Sequence, residues 1–520
     1  MQTVWRAVLC TALFFFSHTP AAYAQDVTLI SPDDAVEVSG TLLGFDGEFY
    51  RLDTIYGELT VDGSGVRCEG PGCPNLQDFV AEVTFSGSST MGRVLVPALI
   101  KGFAQREGYL VETSETAGGV TTFGLTEQSS GKLRAKFLMR VHTTEEGFAD
   151  LLTNEADVVM ALREIRIEEL RRAKEAGIGD LSGPHRSRVL ALDAMVPIVA
   201  PNGPLRHISS LTLANVMSGQ FTRWSELGGP DAPIAVHVPS NATGLGQAVE
   251  DQILAPTNAR LLPDAIRHNE PESLLDAVVA DPFAIGIASH SDIGNAQVLT
   301  LKGSCGFALD ASRRTIKTED YPLTAPMFLY LPARRLPKMA RQFLAFTRGP
   351  SAQIVIRRAG FVDQSPEEIE IEDQGNRLAN AISSAGNEIP LNELQRMIAA
   401  LTERARLTLS FRFEPGSVRL DAQSRSNVQQ LAQALEAGTY DGREMTFVGF
   451  SDGDGPAEPN RAIALRRAVA VKQAVESAAE TANFDRVDMA TDAFGEALPM
   501  ACDDSAWGRR VNRRVEVWVR

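Results

Sequence analysis

The rhythm of apolar and polar positions changes along the chain, and each change marks a candidate domain. Over residues 25–80 short alternating runs are cut by turn residues. Val36 to Val38 and Thr41 to Leu43 flank Gly40, and the runs at 49–52 and 58–61 flank Gly57. Such a rhythm predicts hairpins in a small β-rich unit. It carries no chemistry, which leaves packing or assembly as its role. From Val83 the pattern becomes strand, loop, helix. A short strand runs into the loop SGSSTMG at 86–92, and Leu95, Leu99 and Phe103 then recur every fourth position on one helix face. Residues 156–165 read as a strand that ends in polar residues at Arg163. Residues 195–200 are a wholly apolar strand, and 204–221 a helix-rich connection. Residues 234–238 form a strand entering a second polar loop with Asn241 and Thr243, and 284–289 a further β unit.

Between 364 and 405 the composition turns acidic, as in a connector. A helical stripe of Leu391, Leu394, Ile398 and Leu401 follows. From residue 406 strands and helices alternate again. A strand at 407–413 precedes a helix marked by Val428, Leu431 and Leu435, then a strand at 445–450. Asn460, a good N-cap type, is expected to start a helix that buries Ala464, Ala468, Val471 and Val475. Strands at 487–495 and 515–519 follow. The expected architecture is α/β multidomain: 25–80, 81–363, a linker with helix at 364–405, and 406–520.

Composition narrows the function. The 520 residues are 44% hydrophobic, enough for each piece to bury a core, and too many for one domain. A net charge of −16 argues against nucleic acid, whose phosphates need clustered Lys and Arg. It leaves room for a local anion pocket. Residues 1–24 read as a cleaved export signal. Arg6 precedes the apolar core at 8–16, and Ala22 and Ala24 frame a cleavage site. Leu9 before Cys10 and an apolar core after it are the wrong order for a lipid anchor. No later stretch has the ~20 apolar residues that cross a bilayer. Export to an oxidising compartment favours a local disulfide between Cys68 and Cys73, which bracket a Gly-Pro-Gly turn. A zinc half-site is its rival, with no second Cys or His pair nearby. Cys305 and Cys502 can pair across domains or stay free.

Two stretches carry candidate chemistry. In 449–467, GFSDGDGPAEPNRAIALRR, Asp452 sits on a loop after a strand and Arg467 lies in the helix beyond. One carboxylate and one guanidinium around a shared pocket suit a zwitterion. The stretch resembles the OmpA-like peptidoglycan-binding domain in Asp452, Asn460, Ile463, Ala464, Arg467 and Ala468. Asn512, Arg513 and Arg514 match that domain's closing motif. Phe450 departs from it, where His is usual, and the small-residue position is filled by Ala464 where Ser is usual. The resemblance implies an α/β sandwich whose Asp452, Asn460, Arg467 and Arg513 hold the diaminopimelate of the peptidoglycan stem. The second stretch is the SGSSTMG loop. Hydroxyls and free N–H groups at a helix start can hold an anion. With Arg163, the second loop and two later segments, it resembles the periplasmic solute-binding proteins of the phosphate-binding type. That resemblance implies two lobes holding an oxyanion, here with Ser88, Ser89, Thr90, Arg163, Asn241 and Thr243 as contacts. The second loop departs: His237, Pro239 and Ala242 occupy a span where the family has Arg and Asp. His237 itself reads better as a strand histidine than as a ligand.

No paired histidines at metal-ligand spacing, nucleophile motif or phosphate-binding P-loop occurs, so no enzyme, metal or cofactor is expected. The acidic pairs Asp33–Asp34 and Asp503–Asp504 read as solvated loop residues. Peptidoglycan and a small, phosphate-like oxyanion are the expected partners, in a Gram-negative periplasm against the wall or outer membrane. An ABC permease or other envelope proteins are open as further partners. The alternative is an envelope scaffold whose solute fold has lost its ligand.

Overall fold

The computed structural model describes residues 26–520 apart from Gln77, Ala117, Pro184, Asn387 and Pro415. The export signal at 1–24, with Cys10, lies outside the described residues. The chain divides between Phe79 and Val80 into two compact units.

The first unit is a five-stranded antiparallel sheet in the spatial order Gly57–Asp62, Phe49–Thr54, Glu37–Phe45, Asp26–Ile30, Arg67–Glu69. Alternation buries Val27, Leu29, Leu42, Tyr50 and Leu52 on one face. Gly40 does not break the second strand as expected. It lies inside it, where a Cβ would meet the Asp53 carbonyl at 2.4 Å. The irregularity falls at Leu42–Gly44 instead. Cys68 and Cys73 are disulfide-bonded.

The second unit holds everything else. Its central strand is Ser187–Val199, whose last eleven residues are buried. The first half pairs with Thr324–Tyr330, from Ser187 opposite Tyr330 to Ala194 opposite Thr324. The second half pairs with Ala284–Ser289, from Met195 opposite Ser289. One strand therefore serves two lobes. The first lobe is built on Ala81–Ser88, which lies parallel to both Leu133–His142 and Val158–Ala161. The second stacks Ala235–Pro239 between Ala284–Ser289 and Ile266–His268, all parallel. This is the two-lobed fold expected. In both lobes the candidate loops leave the C-terminal ends of parallel strands, where open α/β sheets hold ligands.

Residues 406–520 form the expected sandwich. Its strands lie in the order Glu368–Ile369, Ala405–Phe411, Arg514–Val519, Glu444–Phe450, Asp488–Gly495. Helices Ala422–Glu436 and Ala457–Ala478 cover one face through Val428, Leu431, Ala468 and Val471. The 364–405 stretch is not a free linker. Glu368 and Ile369 add a strand to the sheet edge. Helices Gly375–Ser384 and Leu391–Leu401 cover the second sheet face, placing Ala381, Leu394, Met397 and Leu401 on Val448, Phe450 and Trp518. Part of the acidic run is paired: Glu367 lies 2.6 Å from Lys317, Glu368 2.5 Å from Arg443 and Asp373 2.8 Å from Arg314. Among the described residues no helix is long and apolar enough to cross a membrane.

This sandwich is seated on both lobes. On the first lobe, the Glu164 carboxylate accepts from Ala422 N (2.6 Å). On the second, Trp507 Nε1 donates to Gln252 O (2.7 Å), and Cys305 is disulfide-bonded to Cys502. On the shared strand, Val189 N donates to Ser426 Oγ (3.3 Å). Asp504 is an exposed loop acid as expected, and its carboxylate also accepts from Ser304 N (2.7 Å).

Glu319, at this junction, is enclosed beside Arg412, Asp421, Arg510 and Asn427. Burial pushes its carboxyl up to about 8 against the pull of Arg412. The folded chain then holds a proton that the unfolded chain, with an ordinary Glu near 4.5, has lost. Stability from this group therefore falls as pH rises from about 4.5 to 8. Glu319→Gln is expected to raise the urea midpoint at pH 8 and leave it nearly unchanged at pH 5. Equal shifts at both pH values would show that Glu319 is ionised in the fold.

Candidate functional site

The first candidate site lies at the end of Glu444–Phe450 and the start of Ala457–Ala478. Helix and strand pack very closely: a Cβ on Gly449 would meet the Ala464 carbonyl at 2.1 Å. Only glycine fits there, and Ala464 is wholly buried against it. The helix begins at Ala457 after Pro456, not at Asn460. Proline before the first turn pre-sets the entry, and Asn460 is freed from capping. Its Nδ2 donates to Gly455 O (3.3 Å) and to Glu496 Oε2 (3.0 Å).

Asp452 and Arg467 are both buried, at 8% and 5% exposure. Arg513, not Arg467, pairs directly with Asp452 (Nη1 to Oδ2, 2.6 Å). The Arg467 guanidinium stands 5.0 Å from the Phe413 ring centroid, and its Nε is buried with no hydrogen-bond acceptor. Burial and the neighbouring Arg513 lower its proton affinity, while Asp452 partly offsets them. A buried guanidinium short of an acceptor is poised for a ligand carboxylate. Asp503 was missed by the solvated-loop reading. It accepts from Gly453 N (2.8 Å) and from Asn512 Nδ2 (2.8 Å), so it ties the loop to the Asn512 motif. Burial raises its carboxyl above the ordinary range, and Glu496 is raised likewise. Asp452, Asp503 and Glu496 make the loop side acidic and Arg467 makes the helix side basic. Phe450, where the resemblance leads one to expect His, is the platform for Arg514, 4.5 Å from its centroid.

The interlobe loops form a second, tighter candidate. Ser88 is buried and its Oγ accepts from Met91 N (3.5 Å); Ser89 and Thr90 are half-buried. Thr243 caps helix Gly244–Val249, accepting from Gly246 N (3.1 Å) and donating to Ser240 O (2.7 Å). The loops meet: a Cβ at Gly244 would lie 3.5 Å from Ser88 Oγ. Asn241 is exposed and accepts from Arg267 Nη1. That arginine stands on a neighbouring strand, and sequence spacing gave no sign of it. Arg163 is not directed to the loops. Its guanidinium forks onto Glu169 (2.9 and 2.7 Å), and its Nε is 3.6 Å from Asp251 across the lobes. His237 Nδ1 lies 2.9 Å from His268 Nε2, a strand-to-strand pair in keeping with the structural reading.

Among known proteins, residues 79–350 match the PBP superfamily domain and residues 412–513 the OmpA family. Protein SphX of Synechococcus elongatus is 25% identical over 234 residues, covering 43% of this chain and 67% of its own. The phosphate-binding protein PstS of Borreliella burgdorferi is 22% identical over 185 residues, covering 34% and 65%. The chain thus spans about two thirds of these curated relatives. A solved ABC-type phosphate transport receptor from Vibrio cholerae is 18% identical, covers 54% of this chain and 99% of its own, and has a TM-score of 0.42. The chain belongs to the PBP superfamily and carries an OmpA-family domain after the two lobes.

Proposed function

We propose that this is a non-enzymatic, exported envelope protein of the Gram-negative periplasm, held non-covalently on peptidoglycan by its OmpA-family domain. Asp452 takes the ammonium and Arg467 the carboxylate of diaminopimelate. Asn460 and Arg513 shape the loop around them. The observation that carries this reading is the buried Arg467 Nε without an acceptor, close to buried Asp452. The test is co-sedimentation of the full chain with diaminopimelate-type peptidoglycan. Asp452→Ala and Arg467→Ala are each expected to leave most of the protein in the supernatant. Unchanged pelleting of both folded variants would refute the assignment.

The two-lobed module is proposed to receive a small oxyanion, phosphate first, on Ser88, Ser89, Thr90, Asn241 and Thr243, with Arg163 fixing the first-lobe wall through Glu169. A relative named a phosphate-binding protein supports this. Titration must use the full chain, because excision would strip Asp320 and Glu164 of their partners in the sandwich. A phosphate heat reduced in Ser89→Ala/Thr90→Val supports the loop site; a heat unchanged in that variant overturns it. The scaffold reading is favoured by a specific observation: Asn241 and Arg163 already have protein partners.

A further inference from the structure

Between the first lobe and the OmpA-family domain lies a cavity of about 300 Å³ that neither proposed site uses. Its walls come from the start of the shared strand, from the segment around 347–353, from residues 364–366, and from helix Ala422–Glu436. Arg188 and Arg348 both line it, and no Asp or Glu is among its described lining residues. The rest of the lining is donor-rich: His185, Ser187, Ser365 and several glutamines.

The arginines are unusual in this molecule. Arg406 forks onto Asp320, and Arg377 and Arg514 close on Glu516. Arg188 has no such counter-ion. Its Nη1 donates to the Leu344 carbonyl and to Thr347 Oγ1 (3.0 Å), and its Nε is buried with no acceptor. Across the cavity, Gln430 Oε1 is likewise buried without a donor, while its Nε2 donates to Gln364 Oε1 (3.1 Å). A buried cation without an anion is costly, and Arg188 and Gln430, which both line the cavity, each hold one buried polar atom without a partner. Their natural complement is an anion that also carries a hydroxyl. Burial and Arg348 push Arg188 down to about 9, the direction expected of a guanidinium awaiting its anion.

We propose that this cavity binds a phosphate-type oxyanion between Arg188 and Arg348, with Gln430 Oε1 accepting from a ligand hydroxyl. The volume has room for more than a bare tetrahedral anion, so a small phosphate monoester fits better than inorganic phosphate. Because helix Ala422–Glu436 supplies one wall, such a ligand bridges the solute module and the wall-binding domain. The site is independent of the interlobe loops.

The experiment is calorimetric titration of the full chain at constant chloride with sn-glycerol 3-phosphate and with inorganic phosphate. The comparison is native protein against Arg348→Ala, Arg348→Glu and Arg188→Gln. Arg348 is exposed enough to change without unfolding the chain. Arg348→Ala is expected to weaken binding roughly tenfold to a hundredfold, the loss of one charge-assisted contact, and Arg348→Glu to abolish it. Ser89→Ala/Thr90→Val should leave this binding intact. Tighter binding of the ester identifies an organic phosphate as the occupant; tighter binding of inorganic phosphate identifies the free ion. No heat from either probe, or an affinity unchanged in both folded Arg348 variants, overturns the proposal.

Discussion

Replacing Glu516 by alanine is expected to cost about 3–5 kcal/mol of folding free energy, the penalty for leaving buried charge without its partner. Glu516 is wholly buried. Its Oε1 accepts from Arg514 Nε (2.7 Å) and Arg377 Nη2 (2.6 Å), and its Oε2 from Trp518 Nε1 (3.0 Å). Arg406 stands 3.5 Å away and forks onto Asp320 of the two-lobed module at 2.7 and 3.0 Å. Three guanidiniums share two carboxylates, so removing one carboxylate strands at least two cations. The surrounding arginines outweigh burial and hold Glu516 far below the ordinary carboxylate range, and Asp320 is lowered by Arg406 against its own burial. The sign follows. Both carboxylates are ionised in the fold below the pH at which the unfolded chain ionises, so their contribution is present above about pH 4 and is lost as pH falls further. Urea denaturation of Glu516→Ala and Glu516→Gln at pH 7 measures the effect. A loss under about 1 kcal/mol in Glu516→Ala would mean that the cluster relaxes into water. Glu516→Gln keeps two acceptor positions at most and should fall between native and alanine.

These contacts mark the limit of what patterning conveys. The strand at 407–413 was legible because its apolar alternation is a local property. So was the strand–loop–helix unit that carries Asp452, Asn460 and Arg467, because its pattern is local too. The cluster was not legible, since Arg406 meets Asp320 across 86 positions and no local pattern says that a guanidinium will be buried. The acidic run at 364–374 shows the same failure in reverse. Its composition is that of a solvated spacer, yet Lys317, Arg443 and Arg314, all distant in sequence, pair with Glu367, Glu368 and Asp373. Arg163 was placed correctly at a strand end and misassigned in role, because Glu169 six positions on competes for its fork before any ligand can. The helix start was misplaced by three residues because Asn460 is a good cap type, while Pro456 fixes the turn earlier.

Opening the Cys305–Cys502 disulfide is the second large change expected. The bond closes a loop across 197 positions. Chain entropy alone gives such a crosslink about 5 kcal/mol. Crosslinks commonly deliver less than this chain-entropy figure, and Trp507, Arg406 and Arg412 hold the same interface without the bond. The double variant Cys305→Ser/Cys502→Ser is therefore expected to lose about 2–4 kcal/mol while keeping the interface. Urea midpoints with and without dithiothreitol test this directly. The native chain should shift to the variant's midpoint on reduction, and the variant should move only by the smaller share due to Cys68–Cys73, which spans 5 positions. Limited proteolysis adds a discriminating readout. If the ion pairs hold the interface, the reduced chain below its midpoint resists cleavage between residues 363 and 406 as the oxidised chain does. If cleavage there appears on reduction, the disulfide alone joins the OmpA-family domain to the two lobes, and the Arg406–Asp320 pair follows docking instead of causing it.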